Sequence, residues 1–483
     1  MSRGSEGRSR SDPDVPMGGG SARSTEEAGQ RPWREGAEQS RMFGGGNTAT
    51  PEVEKTVSTK LAGLVVRARK EVRLTNVVQW VDEELLRLAF WSLRKQAAAG
   101  IDGRSYTDYA ADLDGNLREL YARLKAGQYR APLVRRVYIP KANGGQRPLG
   151  ITTIEDRVVQ KAVAWVLAAV FEQDFLDCSH GFRPRRSAHT ALHRLREGIM
   201  EHRARWVVEV DVVGYFDHVN HEWLRKFLRH RVNDGGLLRL IGKWLNAGVM
   251  EGGVVTRTED GLPQGGPTSP VLSNIYLHYV LDLWFEKRFK RACRGYAELT
   301  RYADDFVAVF REQADAERFR GEVEERLGAF GLRVASEKTA VRRFDGNLRG
   351  GPKEGKPETF TFLGFIHFWT RARSGKMHVG RKPSGKTRER FLARITDWLK
   401  HHRHLWVWEQ RDYLAKALRG YYQYFGLQLC AKPLNGVLHR VQQLWMHWLQ
   451  RRSQRAKRGL SWAAVSSKAW FQLPPARVTQ AWV

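Results

Sequence analysis

The sequence predicts an α+β domain followed by a basic, helical C-terminal part. Three observations carry this. Residues 299–310 read Leu299-Thr300-Arg301-Tyr302-Ala303-Asp304-Asp305-Phe306-Val307-Ala308-Val309-Phe310, two apolar, β-rich runs with a pair of acids between them. That is the pattern of two short strands joined by a tight turn. A third apolar run, Trp206-Val207-Val208-Glu209-Val210, ends on Asp211. Helical patterns alternate with these strands as far as about residue 363, and beyond 390 the apolar spacing is helical, with Arg, Lys and His dense on the remaining faces.

Taken in order, residues 1–52 are rich in Gly, Ser, Arg and Glu and poor in aliphatics, the composition of a disordered tail. Residues 53–128 turn helical, broken by the turn residues Gly100-Ile101-Asp102-Gly103 and resuming over 112–124. Residues 129–368 hold the mixed strands and helices. Val134-Arg135-Arg136-Val137-Tyr138-Ile139 and Gln146-Arg147-Pro148-Leu149 read as a hairpin around the turn Lys141-Ala142-Asn143-Gly144-Gly145. An apolar helix is expected over 156–175, another over 188–197 capped by Ser187, and two more over 223–230 and 237–247. Residues 369–458 begin with a basic Gly/Ser-rich stretch over 370–388 and continue as helices over 390–425 and 434–452. Residues 459–483 form a short basic segment.

At 483 residues with 42% hydrophobic content, the chain can bury a substantial core. Its net charge of +29 and pI near 10.3 do not fit an ordinary metabolic enzyme and point to a polyanion, most simply a nucleic acid. With 17 Trp, 14 Tyr and 21 Phe beside 81 Lys plus Arg, both base stacking and phosphate contacts are available. Cys178, Cys293 and Cys430 are far apart and form no zinc pattern, which fits a reducing, intracellular setting. No run is long enough to span a membrane, and the N-terminus lacks the apolar core of a signal peptide.

Adjacent carboxylates repel and resist ionising together. A divalent cation relieves that repulsion, and Mg²⁺ takes oxygen ligands while leaving positions for substrate phosphates. Asp304 and Asp305, joined by Asp211 from the neighbouring strand, could hold two metal ions for in-line phosphoryl transfer. Lys141 and Arg147 flank a Gly-rich turn that could close over a triphosphate, although basic hairpin tips are also commonly just solvated. Ser179-His180-Gly181-Phe182-Arg183-Pro184 reads equally as a phosphate-binding loop or a plain surface loop. Gly261-Leu262-Pro263-Gln264-Gly265-Gly266 by composition says only that a loop lies there.

The Tyr302-Ala303-Asp304-Asp305 string resembles the signature of reverse transcriptases. Ile139-Pro140-Lys141 through Arg147-Pro148-Leu149, Gly181-Phe182-Arg183-Pro184 and Pro263-Gln264-Gly265 follow in that family's order, as do Ser336-Glu337-Lys338-Thr339 and Phe362-Leu363-Gly364-Phe365. Leu418-Arg419-Gly420-Tyr421-Tyr422-Gln423-Tyr424-Phe425 and residues 444–458 resemble the maturase region of group II intron-encoded proteins. The resemblance covers roughly residues 78–462. Arg185 and Val213 depart from it, standing where many members carry Gly and Lys.

The resemblance implies a right-hand polymerase, with palm and fingers over 129–368 and a helical thumb/maturase domain over 369–458. It implies two Mg²⁺ ions on Asp211, Asp304, Asp305 and the carbonyl of Val212. The incoming nucleotide would meet Lys141, Arg147, Phe216 and Gln264, with Phe216 excluding a 2′-hydroxyl unless it is only a core aromatic. Primer and template would meet Tyr302, Lys338 and Arg183, unless Lys338 is merely solvated. Arg419, Tyr421, Arg451, Arg452 and Arg455 would contact RNA. The implied function is an RNA-directed DNA polymerase and splicing cofactor supporting intron mobility by target-primed reverse transcription. Its partners would be intron RNA, a DNA target/primer and deoxynucleoside triphosphates, in the bacterial cytoplasm or nucleoid; a homodimer is left open. The paired cysteines and histidines of the DNA endonuclease found at the end of larger relatives are not present, so second-strand cleavage is not expected of this chain. Alternatives are a domesticated relative in phage defence or DNA repair, and a splicing-only RNA-binding maturase.

Overall fold

The computed structural model describes residues 51–140, 145–251, 253–256, 260–263, 265–346, 358–371 and 374–480. The expected tail thus lies outside the described residues except for its last two, which already belong to a helix. That helix, α1 (Pro51–Lys60), is followed by α2 (Ala62–Lys70), α3 (Glu83–Trp91) and α4 (Leu113–Lys125). Asp82 and Asp112 cap α3 and α4 by accepting backbone N–H bonds, which satisfies donors that a helix start leaves unpaired.

The expected hairpin forms as β1 (Val134–Pro140) and β2 (Gln146–Ile151), paired antiparallel with Ile139 opposite Arg147. The long apolar helix α5 (Ile154–Phe171) starts two residues before the expected position because Thr153 caps it, and its apolar run is buried nearly all round. Ser187 caps α6 (Ala188–Glu201) in a reciprocal box with Thr190. Next come β3 (Trp206–Val210), α7 (His221–Arg231), α8 (Gly235–Leu245), β4 (Val249–Glu251) and β5 (Val254–Thr256). The order β2-β1-β4-β5 makes one four-stranded sheet.

Helix α9 (Ser269–Leu277) continues through wider, π-helical turns over His278–Asp282 and Phe285–Phe289. After it come β6 (Ala297–Tyr302), β7 (Asp305–Phe310), α10 (Gln313–Gly328) and β8 (Ala340–Arg343). A second sheet, ordered β8-β3-β7-β6, is antiparallel throughout. Its residues alternate between two cores, as the two-residue period of a strand requires. Val208, Val210, Phe306, Ala308 and Phe310 join a core shared with α5, α7, α9 and α10. Val207, Val307 and Val309 join a second core, shared with α6 and the C-terminal helices described next.

The C-terminal half departs most from expectation. The basic Gly/Ser-rich stretch over 370–388 contributes to a sheet: β9 (Phe360–Phe362), β10 (Phe365–Arg371) and β11 (Met377–Pro383) are its three strands. Strand β10 runs across the expected boundary at 368/369. The helical stretch over 390–425 is two helices, α11 (Gly385–His401) and α12 (Val407–Phe425), followed by α13 (Ala431–Gln450). The final basic segment folds back on them: Phe471 stacks on Trp445 at 4.9 Å, and the Thr479 N–H donates to the Gly426 carbonyl. No helix among the described residues is long and apolar enough to cross a membrane.

Candidate active site

The acids are brought together by strand register. Val210 pairs with Phe306 across the antiparallel β3–β7 ladder, and Tyr302 pairs with Asp305 across the β6–β7 turn. Asp211, one step beyond Val210, therefore stands opposite Asp305, one step before Phe306. Asp304 occupies the two-residue turn with Ala303, whose φ of +58° is left-handed. A non-glycine residue in that region needs surrounding contacts to hold it.

Those contacts come from a buried arginine that the sequence reading passed over. Arg301, fully buried, donates from Nε to Asp282 Oδ1 at 2.7 Å and from Nη2 to the other Asp282 oxygen. It also donates to Asn274 Oδ1 at 3.0 Å, Ser179 Oγ at 2.8 Å and the Ala303 carbonyl at 2.9 Å. The signal was present: Arg301 lies in an apolar strand and Asp282 in an apolar helix, and two opposite charges placed so need each other.

The Gly181-Phe182-Arg183-Pro184 block lies under this turn. A Cβ on Gly181 would stand 2.3 Å from the Ala303 nitrogen, so only glycine fits there. Arg183 is 3% exposed and donates to Glu172 at 3.0 Å, to the Leu176 carbonyl at 2.6 Å and to the Ser179 carbonyl at 2.9 Å. Its guanidinium is committed to holding the block together, which corrects the expectation of a primer or template contact. Tyr302 is likewise buried, in the core facing the C-terminal helices.

The electrostatics are those of surplus negative charge. Burial among protein atoms, then the charges of Asp304, Asp211 and Glu209, push the Asp305 carboxyl up to about 7, against a hydrogen bond from the Leu363 N–H. Asp305 still presents surface to solvent. Lys338 Nζ stands 3.0 Å from Asp211 Oδ2, on a turn that the Ala335 N–H ties to the Asp211 carbonyl at 2.8 Å. Val212 pairs with Val334 beside it. Glu209 is engaged by Arg342 at 2.6 Å. Three carboxylates on adjoining strand ends, with the Asp305 carboxyl pushed toward neutrality by burial and then by its acidic neighbours, fit a hard divalent ion by donor chemistry and by charge. Among the described residues, no three His, Cys, Asp or Glu side chains converge closely enough to hold an ion by themselves.

A cleft of about 350 Å³ is lined by Phe216, Pro148, Gly150, Arg136, Asp217 and Pro263 among others. Phe216 is half-buried and meets Tyr215 edge-on at 5.2 Å. The Pro263 loop is wedged between β2 and the Phe216 turn: the Leu262 N–H donates to the Phe216 carbonyl at 2.7 Å, and a Cβ on Gly265 would stand 2.5 Å from the Gly150 oxygen. With φ at +112°, Gly265 is required twice over. The loop is braced from below by Gln160, which accepts from Thr268 at 3.2 Å and donates to the buried Asp156 at 2.8 Å. Lys141 and Gln264 lie outside the described residues, as does the side chain of Arg147.

The RNA candidates divide. Arg419, Arg451 and Arg452 are exposed, and the side chain of Arg455 lies outside the described residues. Tyr421 is 1% exposed, its ring packed on Phe391 at 4.5 Å and Phe425 at 4.6 Å. It is a core residue of α12, and the expected RNA contact is corrected accordingly.

A family model described as reverse transcriptase (RNA-dependent DNA polymerase) matches residues 139–367. Protein YkfC of Escherichia coli is 34% identical over 362 residues, 68% of this chain and 91% of YkfC. Group II intron-encoded protein LtrA of Lactococcus lactis subsp. cremoris is 41% identical over 191 residues, 38% of this chain and 32% of LtrA. The chain belongs to the group II intron reverse transcriptase/maturase family. This reverse transcriptase also resembles the putative COX1/OXI3 intron 1 protein of Saccharomyces cerevisiae, 36% identical over 171 residues, 35% of this chain and 20% of that protein. It thus spans nearly all of YkfC but a third or less of the intron-encoded relatives. The matched segment contains the whole β8-β3-β7-β6 sheet and its acids. The reverse transcriptase is an RNA-directed DNA polymerase, of a domain type that works with divalent metal ions.

Proposed function

We propose that the protein copies RNA into DNA from a nicked target's 3′-hydroxyl and binds its intron RNA as a splicing cofactor. The β8-β3-β7-β6 sheet serves as palm, the β2-β1-β4-β5 sheet with its helices as fingers, and α11 to α13 as thumb and maturase region. The observation that carries this is the strand register that sets Asp211 opposite Asp305, next to Asp304 on the β6–β7 turn.

Two Mg²⁺ ions would be held by these three carboxylates and the Val212 carbonyl. Bound there, they supply activation of the primer hydroxyl and charge stabilisation for the leaving pyrophosphate. The protein's own residues do the rest. Lys338 balances Asp211 and holds its carboxylate toward the turn. The Leu363 N–H orients Asp305. Phe216 offers a ring edge to the nucleotide sugar, and the Gly265 approach keeps the Pro263–Gly266 loop, with Gln264, against the cleft. Lys141 and Arg147 on the β1–β2 turn meet the triphosphate, while exposed Arg419, Arg451 and Arg452 meet RNA phosphates.

A purified preparation should extend a DNA primer on an RNA template in Mg²⁺, and should speed splicing of the RNA that flanks its gene. Extension with no effect on splicing would make a domesticated polymerase the better reading; absence of extension would overturn the assignment of the acids. Phe216→Ala is expected to narrow the preference for deoxynucleotides over ribonucleotides by roughly tenfold or more, because a missing ring cannot reject a 2′-hydroxyl sterically. Unchanged discrimination in single-nucleotide kinetics would leave Phe216 as a core residue only.

A further inference from the structure

The turn between α11 and α12 is held more firmly than a surface turn needs. Gln410, buried on α12, donates from Nε2 to the carbonyls of His402 at 3.2 Å, Arg403 at 3.2 Å and Leu405 at 3.1 Å. Its Oε1 accepts from the buried Trp445 Nε1 at 2.9 Å. From the end of α13, Arg452 donates to the Arg403 carbonyl at 2.6 Å and also to the Leu405 carbonyl. Glu409 accepts the Trp406 backbone N–H at 3.0 Å. Below the turn, the Trp398 ring is stacked between Tyr413 at 3.7 Å and His402 at 4.7 Å, within 10° of parallel to both. Surface turns ordinarily leave such carbonyls to water. Here they are used to fix one conformation.

What that conformation displays is two indoles in solvent. Trp406 is 72% exposed and Trp408 is 60% exposed. An indole is among the largest apolar surfaces a side chain can bury, and two left exposed two residues apart, at the N-cap and in the first turn of α12, mark a binding surface. The stretch is cationic: Lys400, Arg403 and Arg411 are exposed within six residues of an indole, and Arg452 reaches the same turn, against the acids Asp397, Glu409 and Asp412. Flat aromatic faces among cations suit unpaired nucleobases, whose rings are free to stack, better than a duplex, whose base faces are already covered.

We propose that Trp406 and Trp408 form a preorganised stacking platform for unpaired bases of an RNA strand. The proposal deepens the splicing-cofactor reading above and rests on it. The rigid turn explains why stacking there would lose little conformational entropy, and the cationic rim would hold the flanking phosphates.

The test uses the full chain and two probes: an unstructured RNA strand of about a dozen nucleotides carrying 2-aminopurine, and a fully paired RNA hairpin of similar charge. In the W406A/W408A variant, affinity for the single strand is expected to fall roughly tenfold or more, with loss of 2-aminopurine quenching, while hairpin affinity stays within about twofold. The W406F/W408F variant keeps rings at both positions and should retain most of the affinity and quenching. A melting curve of W406A/W408A matching wild type guards against a folding defect in the alanine pair. Unchanged single-strand binding and quenching in W406A/W408A would overturn the platform. So would an equal loss on both probes, or a variant that instead loses self-association or binding to anionic vesicles. Failure of the wild-type protein to bind either RNA would overturn the splicing-cofactor reading itself, and the platform with it.

Discussion

The Asp304→Ala/Asp305→Ala double variant is expected to lose RNA-templated primer extension by a factor of roughly 10³ or more, because it removes the charge that fixes divalent ions at the reacting phosphates. The same variant is expected to bind intron RNA, and to promote splicing, close to wild type. A group II intron RNA carries its own splicing chemistry, and the exposed cations of α12 and α13 lie on elements other than the β6–β7 turn. Folding is not expected to suffer. The Asp305 carboxyl is pushed up to about 7 partly by its acidic neighbours, so removing two members of the cluster relieves repulsion. The check is extension, RNA affinity, splicing rate and a melting curve on one preparation. A well-folded variant that loses splicing together with extension would contradict the division of labour.

Arg301→Leu is expected to be the most damaging single change outside the acids. Arg301 and Asp282 are both fully buried, and removing one partner leaves an uncompensated charge with no water to receive it. Breaking such a pair typically destabilises by about 3–5 kcal/mol. Activity should fall as well, because the guanidinium also holds the Ala303 carbonyl in its left-handed turn. The Arg301→Leu/Asp282→Leu pair, with neither charge, should recover much of the stability but not the turn geometry. Denaturant midpoints for the three proteins decide the matter. An Arg301→Leu midpoint equal to wild type would show that the pair contributes nothing.

The β6–β7 hairpin, the Ser187 cap and the β1–β2 pairing were legible in the sequence because alternation and turn chemistry act over a few residues. Strand β11 was not. Arg381 and Lys382 place it in the basic Gly/Ser-rich stretch, yet Arg381 is buried by tertiary packing that no local pattern reports. The break between α11 and α12 was also missed, since no glycine or proline marks it and the turn is fixed by Gln410 and Arg452 from other turns of the fold. At the site, residue type showed the acids but not which way a side chain faces. Arg183 and Tyr421 have the chemistry of RNA contacts and spend it inside. Arg301 and Asp282 sat in apolar runs as a visible anomaly, but their partnership depends on a contact between two distant segments.

The two-sided sheet bears on how this gene can be divided. The reverse transcriptase match ends at residue 367, yet one face of the sheet within it, carrying Val207, Val307 and Val309, is covered in part by helices beyond that point. A fragment cut at the match would expose an apolar strand surface of the kind that drives aggregation. The sheet and the helices beyond residue 367 therefore share one core and form one physical object. A lineage that sheds its C-terminal helices gains no leaner polymerase; to keep the sheet folded, it must first replace the lost cover with something equally apolar.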